Sequence, residues 1–464
     1  MKLFSLRLTT LKSKLYAIVF ASLVARFIGF FFLPSEPTVA LAPDEGGYAE
    51  IVKLVASEQP TTSYGGLYFI SRTLVLPAAV LNDFGIEPLS SVRIIASMYG
   101  ALTLILVAFL IMQFVNKYST YSELTSKGSN LITGLFLSFA FLPSHLLWSM
   151  LGLRESSMEF WVLCSLAAIF LAVNLQEKVT LPIALLLTTS ITLLFNTRHQ
   201  VAWVLMVTIL VSLIFSNKRR VSFTLALLTL IASGVGYASV AVQKQDVFAL
   251  VATDGSATDG SATDGSATDG SACQDSNQTI LLQGKEYKCI KTGTRRDLSN
   301  LQNPGEIIVN ETIAIPDRHK GNQVAAASAI QTLSCPVTEE SETDKFFCLA
   351  WRAPYMAATF LFRPLIGIDT TSTSSLMAAI ENIAWLGAFI FIVILLIRKR
   401  RLAFIGPLAP SLIFFMLYCV GAGSYEGNMG TAFRHKSLIL WVILLLVASV
   451  TVAEKRPNSR NEST

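Results

Sequence analysis

Residues 41–56 read LAPDEGGYAEIVKLVA, and they follow an apolar run, 14–33, of about the length that crosses a bilayer. A chain leaving a membrane here presents two adjacent carboxylates, Asp44 and Glu45, then two glycines and a tyrosine. What these residues can do depends on the side they occupy, so the reading runs outward from this loop to the topology.

The 464 residues are 52% hydrophobic and 14% charged, with a mean hydropathy of +0.55. A soluble domain of this size carries about 25% charged residues, so the composition is that of an all-α polytopic membrane protein. The net charge of +5 does not point to nucleic acid. The basic residues sit in short clusters beside apolar runs, the pattern of membrane orientation. The first apolar run lacks a convincing small-x-small cleavage site and reads as a retained helix.

Ten spans are expected, near 14–33, 92–115, 130–151, 156–175, 181–196, 200–216, 221–243, 373–397, 402–422 and 437–453. With ten, the clusters Lys2 to Lys14, Lys218-Arg219-Arg220, Arg398 to Arg401 and Lys455-Arg456 all fall on one face. The positive-inside rule makes that face cytoplasmic and puts both termini inside. The other face receives the polar chemistry: Asp44-Glu45, Arg154-Glu155, the turn Asn196 to His199, the region 244–372 and the turn Glu426 to His435.

The chain divides into a transmembrane core over 1–243, an outer insert over 244–350 and a C-terminal transmembrane region over 351–464. In the first outer loop, 34–91, Tyr48, Ile51, Val52 and Val55 recur at helical spacing while Glu50 and Lys53 point elsewhere. This describes a helix lying in the membrane interface, apolar face down. Residues 67–84 form a second apolar piece, interfacial or re-entrant. Within the insert, residues 252–271 are four copies of Ala-Thr-Asp-Gly-Ser, a linker composition whose spacing does not match calcium-binding β-helix repeats. Cys273, Cys289, Cys335 and Cys348 lie in this outer region, and an even count there fits two disulfides in an oxidising compartment. Three pairings are open, with Cys273–Cys289 and Cys335–Cys348 favoured because each closes a short loop. Cys164 and Cys419 fall in spans and read as core.

Each polar motif has a plain reading beside a functional one. Asp44 or Glu45 would suit a helix N-terminus through the helix dipole, yet one cap does not explain two acids followed by Gly46-Gly47. A carboxylate at a membrane surface is placed to take a proton from a hydroxyl acceptor. Arg154-Glu155 could be a local ion pair, and Arg198-His199 a snorkelling Arg with a turn His. Arg434-His435-Lys436 puts three potential cations at the outer start of a span, against the positive-inside rule, which suits recognition of an anion such as phosphate. Arg363 lies near the membrane and Glu381 reads as the one acid well inside a span. Such groups are functional candidates by default, with an Arg363–Glu381 pair as the structural alternative.

These residues resemble the GT-C superfamily of membrane glycosyltransferases, which includes protein mannosyltransferases and the bacterial lipid A aminoarabinose transferase. The acidic pair Asp44-Glu45 just after the first span, the interfacial helices behind it and the charged turn Arg154-Glu155 are similar to that superfamily's pattern. Phe433-Arg434-His435 is similar to its late Arg-aromatic element without matching it. The resemblance implies a polyprenyl-phosphate-linked sugar as donor and an extracytoplasmic glycan, lipid or protein as acceptor. It also implies inverting transfer and an acidic general base, Asp44 favoured, with Glu45 orienting an acceptor or a metal. Some members use a divalent metal ion. A bacterial inner membrane is the expected setting. A competing expectation is an O-antigen-type polymerase or ligase, relying on Arg198-His199 and Arg434-His435; a lipid-linked sugar flippase is a third, disfavoured by the lack of internal repeats.

Overall fold

The computed structural model describes residues 2–33, 43–57, 65–119, 122–124, 126–176, 178–214, 216, 218–241, 248–252, 279–282, 285–291, 306–309, 342–366, 373–398, 408–425 and 433–454. It is a helical membrane protein. Six of the described helices are long and apolar enough to cross a bilayer: Thr10–Phe30, Pro88–Lys117, Glu155–Asn174, Leu181–Ile214, Arg219–Ala238 and Leu376–Arg398. A bent pair, Ser126–Ala140 with Pro143–Met150, makes a seventh if counted as one crossing.

In chain order the helices are α1 (Lys2–Phe30), α2 (Pro43–Ala56), α3 (Gly65–Asp83), α4 (Pro88–Ser119), α5 (Ser126–Ala140), α6 (Pro143–Met150) and α7 (Glu155–Phe170, continued by a π-helical turn Leu171–Gln176). Then come α8 (Leu181–Ile214), α9 (Arg219–Ala241), α10 (Glu342–Phe362), α11 (Thr373–Arg398), α12 (Ala409–Tyr425) and α13 (Ser437–Thr451). Short strands accompany them. β1 (Ser122–Leu124) pairs antiparallel with β6 (Val452–Glu454). Within residues 244–350, β2 (Phe248–Ala252), β3 (Thr279–Leu282), β4 (Lys285–Lys291) and β5 (Glu306–Val309) form a sheet in the order β3-β4-β2-β5. The tandem pentapeptide, Cys273 and Cys335 lie outside the described residues, as do the side chains of Cys289 and Cys348, so the expected disulfides fall outside the description as well.

α5 and α6 run together alongside α1. Lys14 bonds Asn130 (3.2 Å), Ser22 the carbonyl of Ala140 (3.1 Å) and Arg26 the hydroxyl of Ser149 (3.0 Å), so both chains advance in the same direction. The 41° break falls at Pro143, which has no N–H to give and clashes with the preceding turn. Such a break inside a membrane persists only where neighbours satisfy the freed backbone groups. Here Glu381 of α11 does so, accepting from the N–H of Ser144 (3.1 Å) and from its hydroxyl.

α8 is continuous by hydrogen bonding, but its contacts require it to reverse. Thr192 reaches the carbonyl of Ala232, and Phe195 meets the backbone at Gly236, so the first half of α8 runs parallel to α9. If α8 were straight, the contacts would leave Ile214 and Arg219 roughly 50 Å apart at 1.5 Å per residue. The intervening residues span at most about 18 Å. The reversal occurs at Arg198, whose backbone is extended (φ −158°, ψ 97°), and it brings Trp203 of the returning half onto Tyr237 (6.1 Å between ring centroids). The polar turn expected over 196–199 is therefore a real turn.

α13 occupies the centre. Every residue from His435 to Ser449 is buried, as expected of a helix apolar on all sides.

Candidate functional site

The N-terminal ends of α2, α4, α7 and α13 and the reversal within α8 converge on one cluster of charges. α2 begins with Pro43, whose fixed φ suits a first helical position, and places Asp44 and Glu45 in its first turn, where acids complement the dipole. Tyr48, Ile51 and Val52 are buried against Leu74, Val75, Ala78, Val92 and Ala96. The expected apolar face exists, but it packs on α3 and α4 rather than facing lipid, because those two helices supply an apolar groove beside it. Burial also pushes the Tyr48 hydroxyl well above the ordinary phenol range, so it stays neutral.

The two neighbouring acids have separate surroundings. Glu45 is fully buried and forms an ion pair with Arg93 of α4, itself 1% exposed. Asp44 is 38% exposed and lies 3.5 Å from the guanidinium of Arg434. The same Arg434 nitrogen is 3.9 Å from the carboxylate of Glu155, the first residue of α7. Arg434 therefore stands between an open carboxylate and a buried one.

His435 Nε2 lies 2.7 Å from Arg198 Nη1 and 3.6 Å from Glu155. A guanidinium can only donate, so Arg198 is the donor of this contact. Thr73 bridges Ser157 (3.3 Å) and Thr197 (3.1 Å), tying α3, α7 and α8 together beneath the cluster. Arg154 acts electrostatically on Glu155 and Tyr48. Counting Arg154, Arg198 and Arg434 against Asp44 and Glu155, with Glu45 and Arg93 cancelling, the cluster carries one net positive charge.

The structure thus brings together Asp44, Glu45, Arg154, Glu155, Arg198, Arg434 and His435. His199 is half-buried in the reversal beside Arg198. Two expectations change. Lys436 does not join the cationic group: it is 3% exposed, and its ammonium bonds Asn382 (2.7 Å) and the carbonyl of Arg363. Arg363 enters through that carbonyl, and Glu381 is held by Ser144.

Sequence reasoning missed Arg93, which at the head of an apolar run reads as a flanking anchor. It also took Glu381 to be the one acid well inside a span, whereas Glu159 of α7 is equally buried, 2% exposed. Glu159 belongs to a deeper polar group with Arg26 and His145, all at most 3% exposed. The Glu155/Glu159 spacing, one helical turn apart, was the available signal.

Among the described residues, no three His, Cys, Asp or Glu side chains are grouped to hold a metal ion. Asp44 and Glu155, the two carboxylates of the cluster, both face Arg434, whose guanidinium stands where a bound cation would have to sit. Among the described residues, the donor set does not fit a divalent ion. The arrangement can hold an anionic group at Arg434 and present a solvent-reaching carboxylate beside it.

No protein-family model, curated protein or solved structure matches this chain.

Proposed function

We propose that this protein is a membrane glycosyltransferase of the GT-C type, taking a sugar from a polyprenyl-phosphate donor to an acceptor hydroxyl outside the cytoplasm. The observation that carries the reading is the division between Asp44, open to solvent beside Arg434, and Glu45, buried against Arg93. A general base must reach its substrate, and Asp44 is the acid of the pair that can.

In this reading Asp44 removes the proton of the acceptor hydroxyl as that oxygen attacks the anomeric carbon. The carbon–oxygen bond to the phosphate breaks on the opposite face, and the sugar leaves with inverted configuration. The polyprenyl phosphate departs with the bonding electron pair, and Arg434, backed by Arg198, stabilises its charge. Glu155 keeps Arg434 in place. The acceptor is a cell-envelope glycan, lipid or protein.

The topology that goes with this chemistry has ten crossings. They are α1, α4, α5 with α6, α7, the two halves of α8, α9, α11, α12 and α13, both termini being cytoplasmic in a bacterial inner membrane. The direct contact of Arg198 with His435 favours a second reading, an O-antigen-type ligase or polymerase working through Arg and His. One experiment separates the two: turnover of purified Asp44→Asn, Glu45→Gln and Arg434→Ala proteins on radiolabelled polyprenyl-phosphate sugars. Loss in Asp44→Asn with retained fold supports the glycosyltransferase. Normal turnover in both acid variants, with failure of Arg434→Ala alone, transfers the assignment to the ligase.

A further inference from the structure

One turn inward from Glu155, between α6 and α7, lies a small recess. Ser144, Ser156 and Ser437 line it, with Glu155 towards the charge cluster and His145 and Glu159 deeper in. It sits within the apolar body of the protein, where unsatisfied polar groups are costly.

Three polar atoms of its lining have no hydrogen-bond partner: Nε1 of Trp148, Nε2 of His145 and Oε1 of Glu159, the last two in side chains 2% and 3% exposed. Their chemical state follows from Arg26. Its Nε donates to Ser149, its Nη1 to Ser22, and its Nη2 lies 3.1 Å from His145 Nδ1. Because Arg26 only donates, Nδ1 accepts and the ring proton sits on Nε2. The recess therefore presents an N–H donor beside a carboxyl acceptor, 3.7 Å from His145 Nε2 to Glu159 Oε2, with the unpartnered Oε1 on the same carboxyl group. That gap is too wide for a direct hydrogen bond and narrow enough for one oxygen atom to bridge.

The charges define the occupant. The Arg26 guanidinium and the Glu159 carboxyl act on each other electrostatically, so an added anion meets Glu159 and an added cation meets Arg26. A neutral hydroxyl both accepts from Nε2–H and donates to Oε1. The free space holds about one water-sized group.

We propose that this recess is a hydroxyl-recognition subsite: it takes one hydroxyl of the sugar, displacing a water, with His145 donating and Glu159 accepting. The inference rests on the glycosyltransferase reading, since it deepens the same site. It makes His145 and Glu159 specificity-determining residues. A buried donor and acceptor left unmatched penalise any ligand that lacks the group, by a factor on the order of 10²–10⁴.

The test uses full-length protein in lipid nanodiscs. Binding and transfer are measured for a polyprenyl-phosphate hexose and for analogues singly deoxygenated at C2, C3, C4 and C6. The expected result is that one analogue alone loses at least about tenfold, and that His145→Phe and Glu159→Gln each shrink that discrimination. If the complete donor binds and transfers while all four analogues match it, the subsite is overturned and the glycosyltransferase reading stands. Discrimination that survives unchanged in both folded variants also overturns it. If no donor binds at all, the glycosyltransferase reading fails and takes the subsite with it. Should His145→Phe not fold, the analogue series on the unmodified protein decides alone.

Discussion

Arg93 and Glu45 form an ion pair in which neither side chain is more than 1% exposed. It joins the first turn of α2 to the second turn of α4 across 48 residues of sequence. Removing one partner strands the other charge in a dry site, which costs about 3–5 kcal/mol. Arg93→Met and Glu45→Gln are therefore each expected to lower thermal stability in detergent, the second because it leaves the Arg93 guanidinium, which cannot give up its proton, without its carboxylate. Melting temperatures unchanged in both variants would count against the pair as the anchor of α2.

Gly152 precedes Arg154-Glu155 with φ +66°, and a Cβ there would come 2.8 Å from Val92. The left-handed backbone alone costs a non-glycine residue about 1–2 kcal/mol, and the clash adds to it. Gly152→Ala should displace the start of α7 and with it Glu155. The expected outcome is a loss of transfer larger than the loss of stability explains, read by comparing turnover at temperatures where the variant is fully folded.

Arg434 uses one guanidinium nitrogen to face both Asp44 and Glu155. Lysine keeps the charge but not the planar, forked geometry. Arg434→Lys should lower kcat/KM by about 10–100-fold, the worth of one charge-assisted hydrogen bond, with KM for the phosphate donor rising. An unchanged KM would remove Arg434 from the phosphate site.

The reversal of α8 makes a topological prediction. Single cysteines at Ser216 and His199, in a protein freed of its six native cysteines, should label from opposite sides of the membrane. Labelling of both from the same side would contradict a turn at Arg198.

The parts of this structure visible in the sequence were those written in neighbouring residues. The polar turn 196–199 interrupts an apolar run, and Tyr48, Ile51 and Val52 repeat at helical spacing, so both could be read directly. The separate fates of Asp44 and Glu45 could not, because they depend on Arg93. Arg26 and His145 were invisible for a similar reason. Each is a lone polar residue in an apolar helix, and their meeting depends on α1 running beside α6. The bend at Pro143 was hidden inside a run apolar enough to read as one straight span. Lys436 looked like a third surface cation until Asn382 and the Arg363 carbonyl were found around it.

The helix at the centre follows every other described helix in the chain. α13 is buried from Ser437 to Ser449, its exit is fastened by β6 to β1, and Arg434 and His435 stand at its head. During synthesis, then, the other described helices wait around an unfilled axis, and Asp44 and Glu155 lack the arginine they face until residue 434 is made. A chain cut short before residue 433 has the acids without the arginine they face. In the proposed role, this order of assembly keeps incomplete molecules from handling lipid-linked sugars: the capacity to bind the phosphate arrives only with the segment that closes the core.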